Sequence, residues 1–370
     1  MKKKVFCVLR SLGAGGAQKA LTFVANLLAA TDDYEVHLIT LYQSTSSLTL
    51  EPSIKVIYGP YSKDEFTNSS FWGRKKKQIQ NLIWIHKIIK NSKPDLMIVF
   101  LADLVFLCKM AMFGLRIPFI ASERGTPQNF SFLQKIRYCW GYLLADVVVF
   151  QTKRQQQYFS SAIQKKSYII ENAITIRNDD ARNVNNQVTR NPYFMAGGAL
   201  SSIKGFDIAI LASELVTAKF PDFQLHIYGD GPERQHLQQM IFEHHLERNV
   251  ILKGEKDNIF EHANRYSGFL LSSRSEGIPN VLLEAILTGL PVVATDCLSG
   301  GPRTILNDGR RGVLIPTEDP EKMAQGIISI LSDPEQSQKI ALSCREECKQ
   351  QFGPTRIAQK WINLVKKILE

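Results

Sequence analysis

A short polar segment in the second half of the chain has the residue types of an anion-binding site. Residues 272–284 read SSRSEGIPNVLLE and follow an apolar run that ends at residue 271. Pro279 suits the first turn of a helix, and the backbone N–H groups at a helix start bind anions with the help of the helix dipole. Glu276 and Glu284 flank this start and can accept hydrogen bonds from ligand hydroxyls. A single glutamate is more often solvated or stabilised by the dipole, so the whole segment carries the prediction.

Two glycine-containing turns in the same half can bring the backbone close to a phosphate. Gly198 ends an apolar run and is followed by Lys204, so a diphosphate can use both the glycine backbone and the lysine ammonium. Gly229 and Gly231 lie in a second turn, where glycine allows tight turning and close approach of a ligand. Taken alone, these turns are also common connectors, and the lysine can simply be solvated.

Two further segments give weaker signals. Residues 296–303 contain two glycines and end in Arg303, which suits phosphate or hydroxyl recognition. Residues 13–18 read GAGGAQ, a poor dinucleotide fingerprint, because the spacing is wrong and no acidic residue ends the second predicted strand. Gly15 and Gly16 still allow close backbone approach to a ligand.

The elements that must position these residues alternate between short apolar runs and amphipathic helices. This alternation predicts parallel sheets covered by helices on both faces. Every segment except residues 13–18 follows a predicted strand of the second half, so these segments should meet at the carboxyl edge of one sheet. Strands are predicted at residues 5–9, 35–41, 95–100, 117–121, 146–150, 167–170, 193–196, 224–228, 250–253, 268–271, 291–294 and 312–315. Helices are predicted at residues 17–30 and 77–90, between the strands at 117–121 and 146–150, and at residues 206–218, 233–245, 279–287, 320–331 and 334–350.

The chain length favours two domains. It has 370 residues, more than one compact core usually holds. Residues 178–191 are polar, rich in asparagine and without hydrophobic periodicity, which is typical of a linker. We therefore expect an α/β protein with two doubly wound domains, residues 1–177 and 192–354. A last helix, residues 355–370, has apolar residues at helical spacing.

Charge is concentrated in the first half. Residues 1–190 contain 26 Lys and Arg against 13 Asp and Glu, a net charge of +13, whereas the rest of the chain carries −3. This asymmetry favours an anionic partner: lipid head groups, a phosphorylated acceptor or nucleic acid. The basic run at residues 74–77 leads into a helix rich in isoleucine. Such a helix either lies on anionic lipid or packs on the core with a solvated basic side.

Composition narrows the compartment and the kind of site. Six cysteines without a CxxC pair favour a reducing cytoplasm over a disulfide framework. The apolar run at residues 5–9 is too short for a signal peptide, and no run approaches the length of a membrane span. No acidic DxD pair follows a strand and no histidine cluster has zinc spacing, so neither a cofactor nor an obligatory metal is expected.

At these residues the sequence resembles the retaining glycosyltransferases of family 4, whose GT-B fold has two Rossmann-like domains facing a central cleft. Glu276 and Glu284 have the spacing of the family's E-x7-E motif, which implies contacts to the donor sugar and to the nucleotide ribose respectively. Lys204 matches the family's diphosphate-binding lysine, and Glu276 and Lys204 are the expected catalytic residues. The expected donor-binding set is Gly198, Lys204, Gly229, Gly231, Arg274, Glu276, Gly277, Ile278, Pro279, Asn280 and Glu284.

The resemblance extends to the first half. Gly15 and Gly16 match the family's N-terminal glycine loop, near the acceptor and the diphosphate. Glu123 and Arg124 lie in SERGTP, which looks like a motif of bacterial enzymes that extend lipid-linked or surface polysaccharides, so all four are expected near the acceptor. The last helix resembles the one that crosses back to the first domain.

The sequence also departs from the family's pattern. Ala199 stands where the family usually has an arginine that shares the diphosphate charge. Arg274 or Arg303 can replace it, or the leaving group is stabilised less. Gln18 and Thr304 stand where glutamate is common.

The resemblance implies transfer of a hexose or N-acetylhexosamine, with retention, from a nucleotide sugar to a glycan acceptor. A UDP-sugar and a lipid-linked acceptor of surface polysaccharide, lipopolysaccharide or capsule assembly are favoured. The expected location is the cytoplasm, at the inner face of the cytoplasmic membrane. The alternatives are a sugar-nucleotide epimerase or a glycogen-phosphorylase-like enzyme on the same fold and, more remotely, a basic nucleic-acid-binding protein. The residues leave the base, the sugar and the acceptor open.

Overall fold

The computed structural model describes residues 2–13, 15–43, 48–127, 130–174 and 191–370. The chain forms two compact units. The first comprises Met1–Ala173 with Thr355–Glu370, and the second comprises Ile174–Pro354. Apart from residue 191, the predicted linker lies outside the described residues.

The first unit is built on a seven-stranded parallel sheet with the order β3-β2-β1-β4-β5-β6-β7. Beyond the two lysines that open β1, its central strands β1 and β4 are apolar and buried, which is typical of a parallel sheet covered on both faces. The order reverses between β1 and β4, so this is a doubly wound sheet with its switch point there. The strands are β1 (Lys3–Leu9), β2 (Tyr34–Gln43), β3 (Lys55–Ser62), β4 (Leu96–Phe100), β5 (Phe119–Ser122), β6 (Val147–Phe150) and β7 (Ser167–Ile169).

Helices cover both faces of this sheet, because two separate apolar clusters pack against its strands. These helices are α1 (Gly16–Ala29), α2 (Lys63–Thr67), α3 (Phe71–Ser92), α4 (Ala102–Ala111), α5 (Phe132–Leu144), α6 (Lys153–Tyr158) and α7 (Ser161–Gln164).

The second unit repeats the plan with a six-stranded parallel sheet of order β10-β9-β8-β11-β12-β13. Here the switch point lies between β8 and β11. The strands are β8 (Tyr193–Gly197), β9 (Gln224–Tyr228), β10 (Val250–Gly254), β11 (Gly268–Leu271), β12 (Val292–Thr295) and β13 (Val313–Ile315). The helices are α8 (Phe206–Thr217), α9 (Arg234–Glu243), α10 (Asn280–Leu287), α11 (Gly301–Ile305), α12 (Pro320–Ser332) and α13 (Pro334–Phe352).

The last helix, α14 (Pro354–Leu369), packs into the core of the first unit. It is strongly amphipathic, and Ile357, Trp361, Leu364 and Val365 form its buried stripe. The Trp361 indole is fully buried and stacks on the Phe100 ring, with the ring centroids 5.8 Å apart.

The sheet order confirms the predicted pair of doubly wound α/β units. The pattern missed the helices α2, α4, α6, α7 and α11 and the edge strand β3, in which Gly59 and Pro60 interrupt the apolar run. Proline is tolerated in an edge strand, and a Cβ on Gly59 would lie 1.9 Å from the Leu41 carbonyl oxygen. This strand therefore depends on a close backbone contact that periodicity does not signal. No helix of the described residues is long and apolar enough to span a bilayer.

The packing of α14 predicts a large stability loss for Trp361→Ala. Removing a fully buried indole should lower the free energy of unfolding by about 3–5 kcal/mol, measured by urea titration followed by circular dichroism. Trp72→Ala is the matched control, because that indole is 79% exposed and its loss should cost less than about 0.5 kcal/mol. Equal stabilities for the two variants would contradict the described packing of α14.

Candidate active site

Several of the predicted site residues lie at the switch point of the second sheet. The loop after β8 carries Gly198 and Lys204, and the loop after β11 carries Glu276. These two strands are neighbours on opposite sides of the reversal in strand order, where ligands bind in doubly wound sheets. The two loops come from residues about seventy positions apart, so only the sheet topology brings them together.

Lys204 and Glu276 form an ion pair at this point. The lysine Nζ lies 2.6 Å from Glu276 Oε1, and the two side chains are 24% and 13% exposed. The Ser273 hydroxyl donates a second hydrogen bond, of 2.8 Å, to the same carboxylate oxygen. The ammonium and the carboxylate are thus held side by side, partly shielded from water yet still accessible to a ligand.

The loop after β8 is fixed beneath this pair by close backbone packing. Gly205 has a left-handed conformation with φ of +63°, and a Cβ there would lie 2.2 Å from the Ser272 carbonyl oxygen. The Ser272 hydroxyl in turn donates to the Lys204 carbonyl oxygen at 2.8 Å. A Cβ on Gly198 would lie 3.2 Å from Lys204 Cε, so the absence of a side chain there leaves room for the lysine.

The loop that carries Glu276 is held from the other side by the end of β12 and the loop that follows it. The Thr295 hydroxyl donates to the Ser273 carbonyl oxygen at 2.5 Å, and the Ser299 hydroxyl donates to the Glu276 carbonyl oxygen. A Cβ on Gly301, at the start of α11, would lie 1.5 Å from the Gly277 carbonyl oxygen. Any side chain at Gly301 would therefore displace the loop.

The helix start predicted beside Glu276 is the start of α10. The helix begins at Asn280, one residue later than the sequence pattern predicted, and Pro279 is its N-cap. The first turn contains no acidic side chain. Pro279 has no backbone N–H, so it cannot be one of the predicted donors and only shapes the turn. The donors are limited to Gly277, Ile278 and Asn280. Glu284 lies half-buried one turn into the helix.

The glycine turn after β9 packs against the loop after β8. A Cβ on Gly229 would lie 1.9 Å from the Gly198 carbonyl oxygen, and one on Gly231 would lie 2.4 Å from the Leu200 carbonyl oxygen. The backbone N–H of Leu200 also donates to the Asp230 carbonyl oxygen at 2.9 Å. Gly229 and Gly231 thus hold the loop that carries Gly198 and Lys204.

Neither candidate replacement for the arginine missing at Ala199 is directed to this pair. Arg274 forms a bidentate ion pair with Asp207, at 2.6 and 2.8 Å, and a further pair with Glu318. The hydrogen bonds that Arg274 donates to Asp207 and Glu318 outweigh desolvation and raise the pKa of Arg274. Burial alone would raise the pKa of Asp207, but the guanidinium lowers it.

Arg303 is held in a similar way. Its Nη2 lies 2.5 Å from an Asp296 carboxylate oxygen, and its Nη1 lies 3.1 Å from Asp308. The hydrogen bonds to these carboxylates raise the pKa of Arg303. Sequence reasoning missed these acidic partners because it took the arginine as available for phosphate, although Asp296 and Asp308 lie only seven and five residues away along the chain.

Glu123 and Arg124 lie in the first unit and are buried, at 2% and 8% exposure. Glu123 accepts hydrogen bonds from the Tyr142 hydroxyl at 2.7 Å and from the backbone N–H of Gly125 at 2.6 Å. Burial raises the pKa of Glu123 against the lowering effect of these bonds. The carboxylate therefore shapes the loop after β5.

The Arg124 guanidinium stacks over the Phe100 ring, 4.1 Å from its centroid, and donates to Asn172 Oδ1 at 2.9 Å. Burial lowers the pKa of Arg124 to about 9, against the raising effect of Glu123 and Glu171. Gln151 donates to the same Asn172 oxygen at 2.8 Å. Sequence reasoning missed Gln151 and Asn172, although both follow strands of the first sheet.

Gly15 and Gly16 lie where the first sheet changes strand order. Gly15 is the N-cap of α1, and as a glycine it has no side chain with which to cap this helix start. A Cβ on Gly16 would have no neighbour within 4 Å, so the glycine borders open space. The helix start therefore exposes backbone at the switch point of the first unit, as the glycine spacing suggested.

Comparison with known proteins identifies the reaction class. Residues 177–346 match the family model described as glycosyl transferases group 1. The chain is a glycosyltransferase. It is 26% identical, over 98% of its length and 99% of the relative's, to an uncharacterized glycosyltransferase of Haemophilus influenzae.

Another relative carries a more detailed name. The glycosyltransferase is 28% identical to the Campylobacter jejuni N-acetylgalactosamine-N,N'-diacetylbacillosaminyl-diphospho-undecaprenol 4-alpha-N-acetylgalactosaminyltransferase. The match covers 90% of this chain and 91% of the relative.

The fold matches a solved structure, Anabaena HepE in complex with UDP. The TM-score is 0.78 at 20% identity, covering 99% of this chain and all of the other. The fold of the glycosyltransferase is therefore GT-B, as predicted.

The contact at Gly301 predicts a localised defect in Gly301→Ala. The added methyl group must push back the Gly277 carbonyl, so the free energy of unfolding should fall by about 1–3 kcal/mol. Gly16→Ala, where a Cβ meets open space, should change stability by less than about 0.5 kcal/mol. Urea titrations measure both, and a neutral Gly301→Ala would show that the two loops are not in contact.

Proposed function

We propose that this glycosyltransferase moves a hexose or N-acetylhexosamine from a UDP-sugar to a lipid-linked glycan, with retention at the anomeric carbon. One observation carries the proposal: the Lys204–Glu276 pair, 2.6 Å apart, lies at the switch point beside the start of α10. The UDP in the HepE structure and the name of the Campylobacter relative support this choice of donor and acceptor class.

When the donor binds, Lys204 and Glu276 release each other and contact the donor instead. Transfer leaves negative charge on the departing diphosphate and positive charge at the anomeric carbon, and both are best stabilised by groups already in place. The Lys204 ammonium turns from Glu276 to the diphosphate, next to the N-terminal dipole of α10. The released Glu276 carboxylate accepts hydrogen bonds from the sugar, and the Glu284 carboxylate accepts hydrogen bonds from the ribose hydroxyls.

Catalysis proceeds without an obligatory divalent metal or other cofactor in this proposal. Lys204 and the start of α10 provide the charge stabilisation that a metal would otherwise supply. The departing phosphate takes the proton of the acceptor hydroxyl, on the face from which it leaves, so that configuration is retained. Activity in the presence of EDTA checks the metal part of the proposal separately.

In this proposal the acceptor binds to the first unit. Gly15 and Gly16 expose backbone at its switch point, which suits a phosphorylated or polyhydroxylated group. Glu123 and Arg124 are buried, so they act on the acceptor by holding the loop after β5 in shape. The relative that acts on an undecaprenyl diphosphate supports a lipid-linked acceptor in surface glycan assembly.

A lipid-linked acceptor places the enzyme at a membrane surface, on the inner face of the cytoplasmic membrane. Helix α3 has six Lys and Arg residues and no carboxylate. None of the six forms an ion pair within the part of the chain that the structure describes. Ile85 and Ile89 bury one face of α3 in the core, so its exposed basic side is the surface offered to anionic lipid.

Lys204→Ala and Glu276→Gln should each lower kcat/KM for sugar transfer by about 100-fold or more, because each removes a group that acts on developing charge. The assay follows nucleoside diphosphate release with a lipid-linked acceptor. Circular dichroism should be unchanged.

Lys219→Ala and Glu243→Gln are the matched controls, since both side chains are exposed on the same unit away from the switch point. They should retain wild-type activity. Wild-type kcat/KM in both Lys204→Ala and Glu276→Gln would remove the catalytic assignment.

The donor class predicts a ligand-specific thermal shift. In a panel of sugar nucleotides with different bases, UDP-sugars should raise the melting temperature most, because a ligand that binds only the native state stabilises it. A larger shift with another base would mean that the donor carries that base instead of uracil. Incubating the best ligand without acceptor should leave the sugar unchanged, whereas its conversion would identify an epimerase.

A further inference from the structure

The outward side of α5 in the first unit is apolar, the reverse of an ordinary surface helix. Helices on a soluble domain place charged residues outward and apolar residues inward. In α5 the inward side is formed by the fully buried Tyr142 and Gly141. The outward side consists of large apolar residues with 44–77% of their surface exposed: Phe132, Leu133, Ile136, Trp140, Leu143 and Leu144.

These six residues form one continuous face. At 3.6 residues per turn their positions fall within about 120° of the helix circumference. Isolated exposed apolar residues are ordinary, but a contiguous patch marks an interaction surface. Helix α4 packs directly against α5, and Gly141 lies against the Phe106 backbone. Two more exposed apolar side chains, Met110 and Phe113, stand at the end of α4.

The charge around this face selects the partner. Helix α5 has two basic side chains, Lys135 and Arg137, and no carboxylate. The neighbouring α4 has one carboxylate, Asp103, which pairs with Arg10. Helix α3, which also packs against α4, carries six Lys and Arg residues and no carboxylate. An apolar face that is rich in aromatic residues and bordered by positive charge complements an anionic lipid leaflet.

We propose that α5 is an insertion helix, which lies in the plane of an anionic bilayer with its apolar face at the boundary of the acyl chains. Helix α3 supplies the electrostatic attraction, and α5 supplies the hydrophobic burial. The inference rests on the proposed function in one respect: a lipid-linked acceptor is the reason for a membrane as the occupant. The sequence pattern pointed only to α3.

The test compares a triple variant, Phe132→Gln/Leu133→Gln/Trp140→Gln, with the wild-type chain in flotation with vesicles of phosphatidylcholine and phosphatidylglycerol. The wild type should float, and the variant should partition at least about tenfold less, because it loses its apolar insertion. The three side chains are exposed, so the fold should be kept. Phe242→Gln/Leu215→Gln, which changes exposed apolar residues of the other unit, should float like the wild type.

A second readout measures depth. Trp140 fluorescence should be quenched by lipids brominated on the acyl chain, and Trp140→Phe should lose most of that quenching while still floating. Flotation of the triple variant equal to that of the wild type would overturn the inference. A lipid-independent dimer in light scattering, abolished by the triple variant, would also overturn it and assign the face to a second copy.

The proposed function is checked separately in the same variants. Thermal stabilisation by the donor without lipid should be the same in the triple variant and the wild type. A triple variant that floats normally while the donor still binds would overturn only the insertion helix. If the donor does not stabilise the wild-type chain in the thermal assay, the proposed function is overturned. The flotation result is independent of that outcome.

Discussion

The ion pair between Lys204 and Glu276 is the interaction around which the second unit is arranged. It joins the loops that follow β8 and β11, the two strands that flank the change in strand order, where ligands bind in doubly wound sheets. An ammonium and a carboxylate held 2.6 Å apart satisfy each other in the absence of a ligand. In the proposed function, the ammonium then turns to the leaving group and the carboxylate to the transferred sugar.

The surrounding loops work mainly by backbone contact. Gly205, Gly229 and Gly301 each lie where a Cβ would overlap a carbonyl oxygen of a neighbouring loop. Hydroxyl donors such as Ser272 and Thr295 complete the connections. This arrangement helps to fix the positions of Lys204 and Glu276, because each loop is held by the next. Rigid supports of this kind are what a site that acts on developing charge requires.

The fold and the position of the candidate site could be predicted because they follow from local patterns. Buried apolar strands alternate with helices, and Lys204 and Glu276 lie in loops that follow strands. Arg274 and Arg303 could not be placed. Arg274 pairs with Asp207, 67 residues away, and Arg303 pairs with Asp296 through the fold of the loop between β12 and α11. The apolar outward face of α5 was missed for a related reason. Periodicity identifies an amphipathic helix but does not say which side faces the core.

The most direct measurement is a crystal structure of the chain with a bound nucleoside diphosphate sugar. The account predicts that the Lys204 ammonium leaves Glu276 and lies within hydrogen-bond distance of the diphosphate, while the carboxylate contacts the sugar. A structure in which the diphosphate binds elsewhere and the ion pair stays intact would contradict it.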